Sequence, residues 1–179
     1  MHANAGTRRC LMPEPSNEHR EIERKFLVRI LPDNLPGFPH RAIEQGYLVS
    51  ESNGLQVRLR KAGDRRSLTF KREKNDGREE REIELSLEQF DLLWPATAEK
   101  RLTKTRYEVP YENWIVEIDI YSGRHQGLIV AEVEFDSEKA ARNFQPPDWL
   151  GKDVTGDPRY SNQLLASDPE QLILPPSRA

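Results

Sequence analysis

The sequence predicts an antiparallel α+β fold, and three observations lead to that prediction. Most of the chain alternates charged and apolar residues, which is the period of a half-buried strand. Turn signals such as Asn53-Gly54 separate the alternating segments. Only two or three segments have helical spacing, and strands and helices do not alternate as they do in a parallel sheet.

Eight strands are expected in order along the chain. Glu21 to Val28 is the first, because its charged and apolar residues alternate. A break rich in proline and glycine follows it. The remaining strands are expected at residues 42–50, 55–61, 66–73, 79–85, 102–109, 114–121 and 128–135.

Up to three short helices complete the prediction. Ser86 and Gln89 have the spacing of a capping box, so a helix should begin there, with Leu87, Phe90, Leu93 and Trp94 on one side. A second helix is expected from Asp136 or Ser137, and a third from Ser161 to Ala166. Most of the large aromatic residues are expected in the core beneath these helices: Trp94, Trp114, Trp149, Phe26, Phe90, Phe135 and Phe144.

One domain is expected over residues 19–167. Residues 1–18 lack periodicity and are expected to form a disordered lead, and either Met1 or Met12 could be the start. Residues 168–179 contain three prolines and are expected to be a flexible tail.

Composition excludes several classes of protein. No run approaches the ~18 apolar residues of a membrane span, and the N-terminus has no apolar segment of a secretory signal. The single cysteine, Cys10, rules out an internal disulfide framework and a multi-cysteine zinc site. A pI near 5.9 argues against nucleic-acid binding. We therefore expect a cytoplasmic protein without a membrane or nucleic-acid partner; whether it forms a homodimer stays open.

Charge is unusually abundant and is sorted by strand. The 27 basic and 30 acidic residues leave a net charge of only −3. Residues two apart on a strand share a face. Six strands each carry a like-signed pair: Glu21 and Glu23, Arg58 and Arg60, Glu82 and Glu84, Lys104 and Arg106, Glu117 and Asp119, and Glu132 and Glu134.

Two interpretations of these pairs stay open from the residues alone. Like charges ~7 Å apart repel by about 0.6 kcal/mol in water and roughly 2.4 kcal/mol at an effective dielectric of 20, so a solvated outer face would tolerate them. A cavity would need a ligand to compensate them. Carboxylates suit Mg²⁺ or Mn²⁺, and paired arginine and lysine side chains suit phosphate oxygens. A complex of a polyphosphate with a metal would satisfy both sets.

The ordered motifs resemble those of the CYTH family, also called triphosphate tunnel metalloenzymes. The match begins with the ExExK opening, Glu21-Ile22-Glu23-Arg24-Lys25, and extends to about Ala166. Further matching segments are Gln45-Gly46-Tyr47-Leu48, Val57-Arg58-Leu59-Arg60, Thr69-Phe70-Lys71, Glu82-Ile83-Glu84, Lys104-Thr105-Arg106-Tyr107, Glu117-Ile118-Asp119 and Ala131-Glu132-Val133-Glu134-Phe135. The closing segment Val154-Thr155-Gly156-Asp157-Pro158-Arg159-Tyr160-Ser161-Asn162 resembles the C-terminal segment of short bacterial members.

This resemblance implies a fold and an activity. The fold is a closed eight-stranded antiparallel β-barrel, a tunnel, with a few helices packed outside. The activity is Mg²⁺- or Mn²⁺-dependent hydrolysis of a small-molecule triphosphate, above all of inorganic tripolyphosphate to pyrophosphate and phosphate. The alternatives are a class IV-type adenylate cyclase, a thiamine triphosphatase, and a non-catalytic polyphosphate- or nucleotide-binding module.

The resemblance also implies roles for individual residues. The metal ligands would be Glu21, Glu23, Asp119, Glu132 and Glu134. The cations that bind the triphosphate would be Lys25, Arg58, Arg60, Lys71, Lys104 and Arg106, with Lys152 and Arg159 as additional contacts. Catalysis would involve Lys104 together with Glu82 and Glu84, which we expect to position water. Tyr47 and Tyr107 could reach the tunnel, but a packing role is favoured for both. His125 is expected at the surface.

Overall fold

Nine antiparallel strands form one sheet in the computed structural model, which describes residues 22–51, 54–74 and 77–167. They are β1 (Ile22–Val28), β2 (His40–Ser50), β3 (Gln56–Ala62), β4 (Arg65–Lys74), β5 (Gly77–Glu84), β6 (Arg101–Tyr111), β7 (Trp114–Tyr121), β8 (Ile129–Phe135) and β9 (Leu150–Asp153). All eight expected strands are present, which confirms the antiparallel prediction. Glu21, Asn53 and the turn residues Asn75 and Asp76 lie outside the described residues, as do the expected lead and tail.

The strand order is β5-β4-β3-β2-β6-β7-β8-β1-β9. Within the described residues, no ladder joins β5 to the other end of the sheet, so the pairing there does not form the expected closed ring of eight strands. The ninth strand, β9, pairs with β1. It was not predicted, because its four residues follow Pro146-Pro147 and are too few to show an alternation.

Three short α-helices are α1 (Leu87–Leu93), α2 (Glu138–Asn143) and α3 (Asn162–Ser167). The capping box of α1 is confirmed: the Gln89 amide donates to Ser86 Oγ at 3.2 Å, and the Ser86 amide donates to Gln89 Oε1 at 2.9 Å. Phe90 is buried and stacks on Trp94, whereas Leu87 is 51% exposed. The helix has only two turns, so few of its side chains face the sheet. None of the described helices is long and apolar enough to cross a membrane.

The two faces of the sheet carry different cores. One face and α2 enclose the first cluster, which includes Phe26, Val116, Ile118, Val133, Phe135 and Phe144, with Trp114 and Trp149 packed against it. The predicted aromatic core beneath a helix is therefore confirmed at these positions. The other face, which we call the charged face, carries Lys25, Arg58, Lys104, Asp119 and Glu132. Part of it is filled by a second apolar cluster: Tyr47, Leu102, Tyr121, Leu128, Val130, Val154, Tyr160, Leu165 and Ala166.

The sheet curls around α3 on its charged face. Lys25 of β1 donates to the carbonyl of Tyr160 at 3.5 Å, and Gln56 of β3 donates to the side chain of Gln163. These two strands are five spacings apart in the sheet, which would be about 24 Å in a flat sheet. Because Tyr160 and Gln163 are only three positions apart in sequence, strong curvature must bring the two strands together.

Candidate active site

Cross-strand register places the predicted charges on one face. Lys25 lies opposite Glu132, and Glu132 lies opposite Glu117. Arg106 lies opposite Asp119. On the other half of the sheet, three further pairs share this face: Tyr47 with Arg58, Arg58 with Thr69, and Thr69 with Glu82. Among the described residues, the members of the like-signed pairs thus belong to one continuous surface, as their period of two predicts.

Arg106 is the centre of a buried ionic network. Its guanidinium donates to Asp119 Oδ1 at 2.7 Å, to Asp119 Oδ2 at 2.6 Å and to Glu132 Oε2 at 2.6 Å. It also donates to Glu117. Burial alone would lower the pKa of Arg106, but the hydrogen bonds and charge of Asp119, with the charges of Glu132 and Glu117, raise it above its usual value. Arg106 therefore stays charged and neutralises the acidic side chains around it.

Two lysines complete this network. The Lys104 ammonium pairs with Asp119, and both side chains are fully excluded from solvent. The Lys25 ammonium lies 2.9 Å from Glu132 Oε1. Burial would raise the pKa of Glu132, but the positive charges of Lys104, Lys25 and Arg106 lower it below its usual value. Glu132 is consequently held as a carboxylate despite being buried.

Arg58 and Arg60 form a contrasting pair of cations. Arg58 donates to Thr69 Oγ1 at 3.3 Å, but neither arginine has a carboxylate partner within the described part of the chain. The Nε atoms of both are buried and make no hydrogen bond. Burial and the like charge of Arg58 lower the pKa of Arg60 to about 10. Two adjacent guanidinium groups without an anion, one buried and one half-buried, make this part of the face a strong candidate for binding phosphate.

Strands β4 and β5, at one edge of the sheet, contribute both basic and acidic side chains. Lys71 Nζ lies 2.5 Å from Glu80. Glu82 accepts from Thr69 Oγ1 at 2.9 Å and pairs with Arg65 at 3.1 Å. Glu84 is exposed on the same strand. The two expected water-positioning carboxylates therefore lie on the charged face, beside the Arg58 and Arg60 pair.

Carboxylates suited to a metal lie at the start of β1 and at the end of β8, which pairs with it. Glu23 and Glu134 are direct cross-strand partners and are exposed. Among the described residues no three acidic or histidine side chains converge closely enough to enclose an ion. Mg²⁺ commonly keeps several waters and takes only one or two carboxylates together with substrate phosphates. The hard oxygens of Glu23 and Glu134 fit that mode, while Glu21 lies outside the described residues.

The two predicted contacts in the C-terminal segment lie apart from this network. Lys152 is exposed on β9. Arg159 is exposed and forms an ion pair with Asp157 at 2.6 Å. No hydrogen bond or ion pair within the described ranges joins either side chain to the charged face.

Uncharged residues also belong to the site. The packing role predicted for Tyr47 is confirmed by its burial in the second apolar cluster, whereas no role was predicted for Gln45, Tyr121 or Asn162. Tyr47 lies beside Arg58 and accepts a hydrogen bond from Gln45 at 3.1 Å. Burial raises the pKa of its hydroxyl against the opposing charges of Arg58, Arg60 and Lys25. The alternation of β2 could have placed both residues on the charged face. Tyr121 also lies there, two positions after Asp119. Asn162 reaches the charged face from α3, and no periodic pattern in the sequence predicts that position of its side chain.

The sequence of this chain is similar to a known family and to two named proteins. The CYTH domain family matches residues 19–161. An inorganic triphosphatase from Nitrosomonas europaea is 44% identical over 149 residues, which cover 82% of this chain and 96% of that protein. An inorganic triphosphatase from Acetivibrio thermocellus is 32% identical over 157 residues, which cover 84% and 95%.

A solved structure agrees with these relatives. The crystal structure of an inorganic triphosphatase is 40% identical to this chain and has a TM-score of 0.66 with it. The match covers 87% of this chain and 96% of that one. The family match and the close relatives extend over the strands that carry the charged face, and the chain therefore belongs to the CYTH family.

Proposed function

We propose that this protein hydrolyses inorganic triphosphate to pyrophosphate and phosphate in a reaction that depends on Mg²⁺ or Mn²⁺. The observation that carries the proposal is the adjacent pair of buried Arg58 and half-buried Arg60, which has no carboxylate partner in the described residues. A buried charge is costly unless it is paired, so an anionic ligand is the natural partner. The inorganic triphosphatases similar to this chain support a triphosphate as that anion.

Six cations would bind the phosphate chain. Arg58 and Arg60 offer free N–H groups, and Lys71 lies on the neighbouring strand β4. Lys25 and Lys104 approach from the other half of the sheet and would exchange part of their carboxylate contacts for phosphate oxygens. Arg106 would act mainly through its charge, because three carboxylates already accept from it. Lys152 and Arg159 are proposed as outer contacts.

Glu23 and Glu134 would hold the metal together with Glu132, and Glu21 and Asp119 are proposed for the same set. Both oxygens of Asp119 accept from cations, so it would contribute chiefly through charge. When bound, Mg²⁺ or Mn²⁺ would neutralise charge on the reacting phosphoryl group. We also propose that the curled sheet closes into a tunnel around the substrate, as the resemblance implies.

The chain's own residues would carry the remaining chemistry. Glu82 and Glu84 would orient a water for in-line attack on a terminal phosphorus, and Lys104 would stabilise the negative charge on the leaving pyrophosphate. The water's oxygen forms the new bond to phosphorus as the bond to the bridging oxygen breaks, and the proton that the water loses would pass to the carboxylate of Glu82 or Glu84. Catalysis would therefore consist of positioning and electrostatic stabilisation, as is usual for phosphoryl transfer.

A substrate panel tests this proposal. The protein is incubated with Mg²⁺ or Mn²⁺ and with tripolyphosphate, thiamine triphosphate or ATP, and phosphate, pyrophosphate and cyclic AMP are measured. Phosphate and pyrophosphate from tripolyphosphate support the proposal, and R142A, altered at an exposed arginine of α2, should match the wild type. Cyclic AMP from ATP would instead indicate a cyclase, and tight binding without turnover would indicate a binding module.

A further inference from the structure

We propose that Asn162 is a positioning residue, whose side-chain oxygen orients the Lys104 ammonium toward the bound triphosphate. The inference rests on the proposed function and assigns to α3 a task in the active site. Asn162 is the first residue of α3, and its side chain points from the helix to the charged face. It is uncharged, so no charge pattern in the sequence indicates it.

A single oxygen atom of Asn162 accepts hydrogen bonds from two residues of the charged face. Asn162 Oδ1 accepts from Lys104 Nζ at 3.4 Å and from the Tyr121 hydroxyl at 2.6 Å. Lys104 donates on its other side to Asp119. The ammonium is therefore held between a charged and a neutral acceptor, and its third N–H remains for another ligand. Without Asn162, the ion pair with Asp119 alone would determine where Lys104 points.

Tyr121 fixes the orientation of the Asn162 amide. Its hydroxyl can donate only one hydrogen, and that hydrogen goes to Asn162 Oδ1. The ring is buried, and Lys104 Nζ lies 5.5 Å from its centroid. The short hydrogen bond keeps the oxygen, rather than the amide nitrogen, turned toward Lys104. Tyr121, Asn162 and Lys104 thus form one chain of contacts.

The rest of α3 is anchored, which makes Asn162 a fixed support. Arg124 donates to the carbonyl of Ala166 at 2.8 Å, and Gln163 donates to Ser50 Oγ at 2.6 Å. His125 Nε2 lies 2.6 Å from the carbonyl of Leu165. His125 is buried here, so its predicted surface position was wrong: the turn before β8 is covered by α3. Leu165 itself is fully buried in the second apolar cluster.

Three variants and one matched control test the inference. N162L removes the acceptor with little change in volume, Y121F removes only the hydroxyl, and the third variant combines them. R124A serves as the control, because Arg124 holds the far end of α3 and, among the described residues, donates only to the carbonyls of Arg101 and Ala166. KM and kcat for tripolyphosphate, equilibrium binding of tripolyphosphate without metal, and Tm are measured for each protein.

N162L should raise KM about tenfold, which is the effect of losing one hydrogen bond to a charged group. It should also lower kcat, because Lys104 both binds the triphosphate and stabilises the charge on the leaving pyrophosphate. Y121F should raise KM by two- to fourfold. The double variant should be no worse than N162L, because both changes act through the same oxygen. R124A should lower Tm while its KM stays within twofold of the wild-type value.

Other outcomes would overturn the inference. A KM of N162L equal to that of the wild type contradicts it. A KM that rises in both N162L and R124A, in proportion to their loss of Tm, also contradicts it. If N162L does not fold, an unchanged KM in Y121F has the same meaning. If the wild type lacks turnover, the proposed hydrolysis fails, and the inference is then decided by whether N162L weakens tripolyphosphate binding about tenfold.

Discussion

Lys104 and Asp119 form an ion pair in which both side chains are fully excluded from solvent. Arg106 donates to the same carboxylate, so one aspartate balances two cations. Removing one partner of a buried pair leaves an uncompensated charge, whereas an exposed pair contributes little to stability. The charged face is therefore also a structural element, and its variants need a stability measurement beside an activity measurement.

D119L should lower the free energy of unfolding by about 3–5 kcal/mol, because it leaves the Lys104 charge buried without its partner. Urea unfolding measures this change. E44Q is the matched control, since Glu44 pairs with Lys61 at a partly exposed position, and it should cost less than about 1 kcal/mol. Equal losses in the two variants would contradict the buried network.

Stability should depend on pH through Glu132. Its pKa in the folded protein is lowered, so its contribution is fully present above the unfolded value of 4.5 and is lost as the pH falls toward the folded value. The difference in unfolding free energy between wild type and E132Q should therefore shrink as the pH falls from 6 to 3. A difference that stays constant over this range would show that Glu132 ionisation does not stabilise the fold.

R60M should stabilise the ligand-free protein while weakening its binding of triphosphate. The lowered pKa of Arg60, about 10, reports an environment that disfavours its charge. Replacing it with an apolar side chain should raise the free energy of unfolding by on the order of 1–3 kcal/mol. Thermal unfolding with and without tripolyphosphate checks both parts. A destabilised R60M, or one that tripolyphosphate still stabilises as much as the wild type, would be inconsistent with an anion site.

E23Q and E134Q should each raise the Mg²⁺ or Mn²⁺ concentration that gives half-maximal activity by about tenfold, because each removes one anionic oxygen ligand. Both side chains are exposed, so Tm should change by no more than a few degrees. E138Q, on the outer helix α2, is the control and should leave metal activation unchanged. A normal metal response in both site variants would rule out these two ligands.

The charged face was largely predictable because its signal is local. A strand repeats every two residues, so the pairs Arg58 and Arg60 and Glu132 and Glu134 indicate their own shared face. The neighbours Gln45 and Tyr47 follow the same rule, but their side chains are uncharged and therefore do not contribute to the charge pattern. Their roles emerge only from cross-strand pairing.

The remaining features depend on contacts that are distant in sequence. Asn162 and His125 acquire their positions from the way α3 packs on the sheet, and neither has a periodic signal. Gly46 is similar: a Cβ atom there would lie 2.5 Å from Thr97 Oγ1, so glycine is needed for that turn to approach β2. The ionic pairing also depends on the fold, since the register determines which carboxylate each cation meets.

The most direct test of whether the charged face hydrolyses tripolyphosphate is phosphorus NMR. Tripolyphosphate is followed in the presence of Mg²⁺ and either the wild type or R58M. Arg58 is buried on the charged face and has no carboxylate partner among the described residues, so R58M should remove an anion contact and leave the fold intact. The wild type should convert tripolyphosphate to pyrophosphate and phosphate, and folded R58M should lose at least 100-fold of this rate, which corresponds to the ~3 kcal/mol of a charge-assisted contact. An inactive wild type, or a folded R58M with full activity, would contradict it.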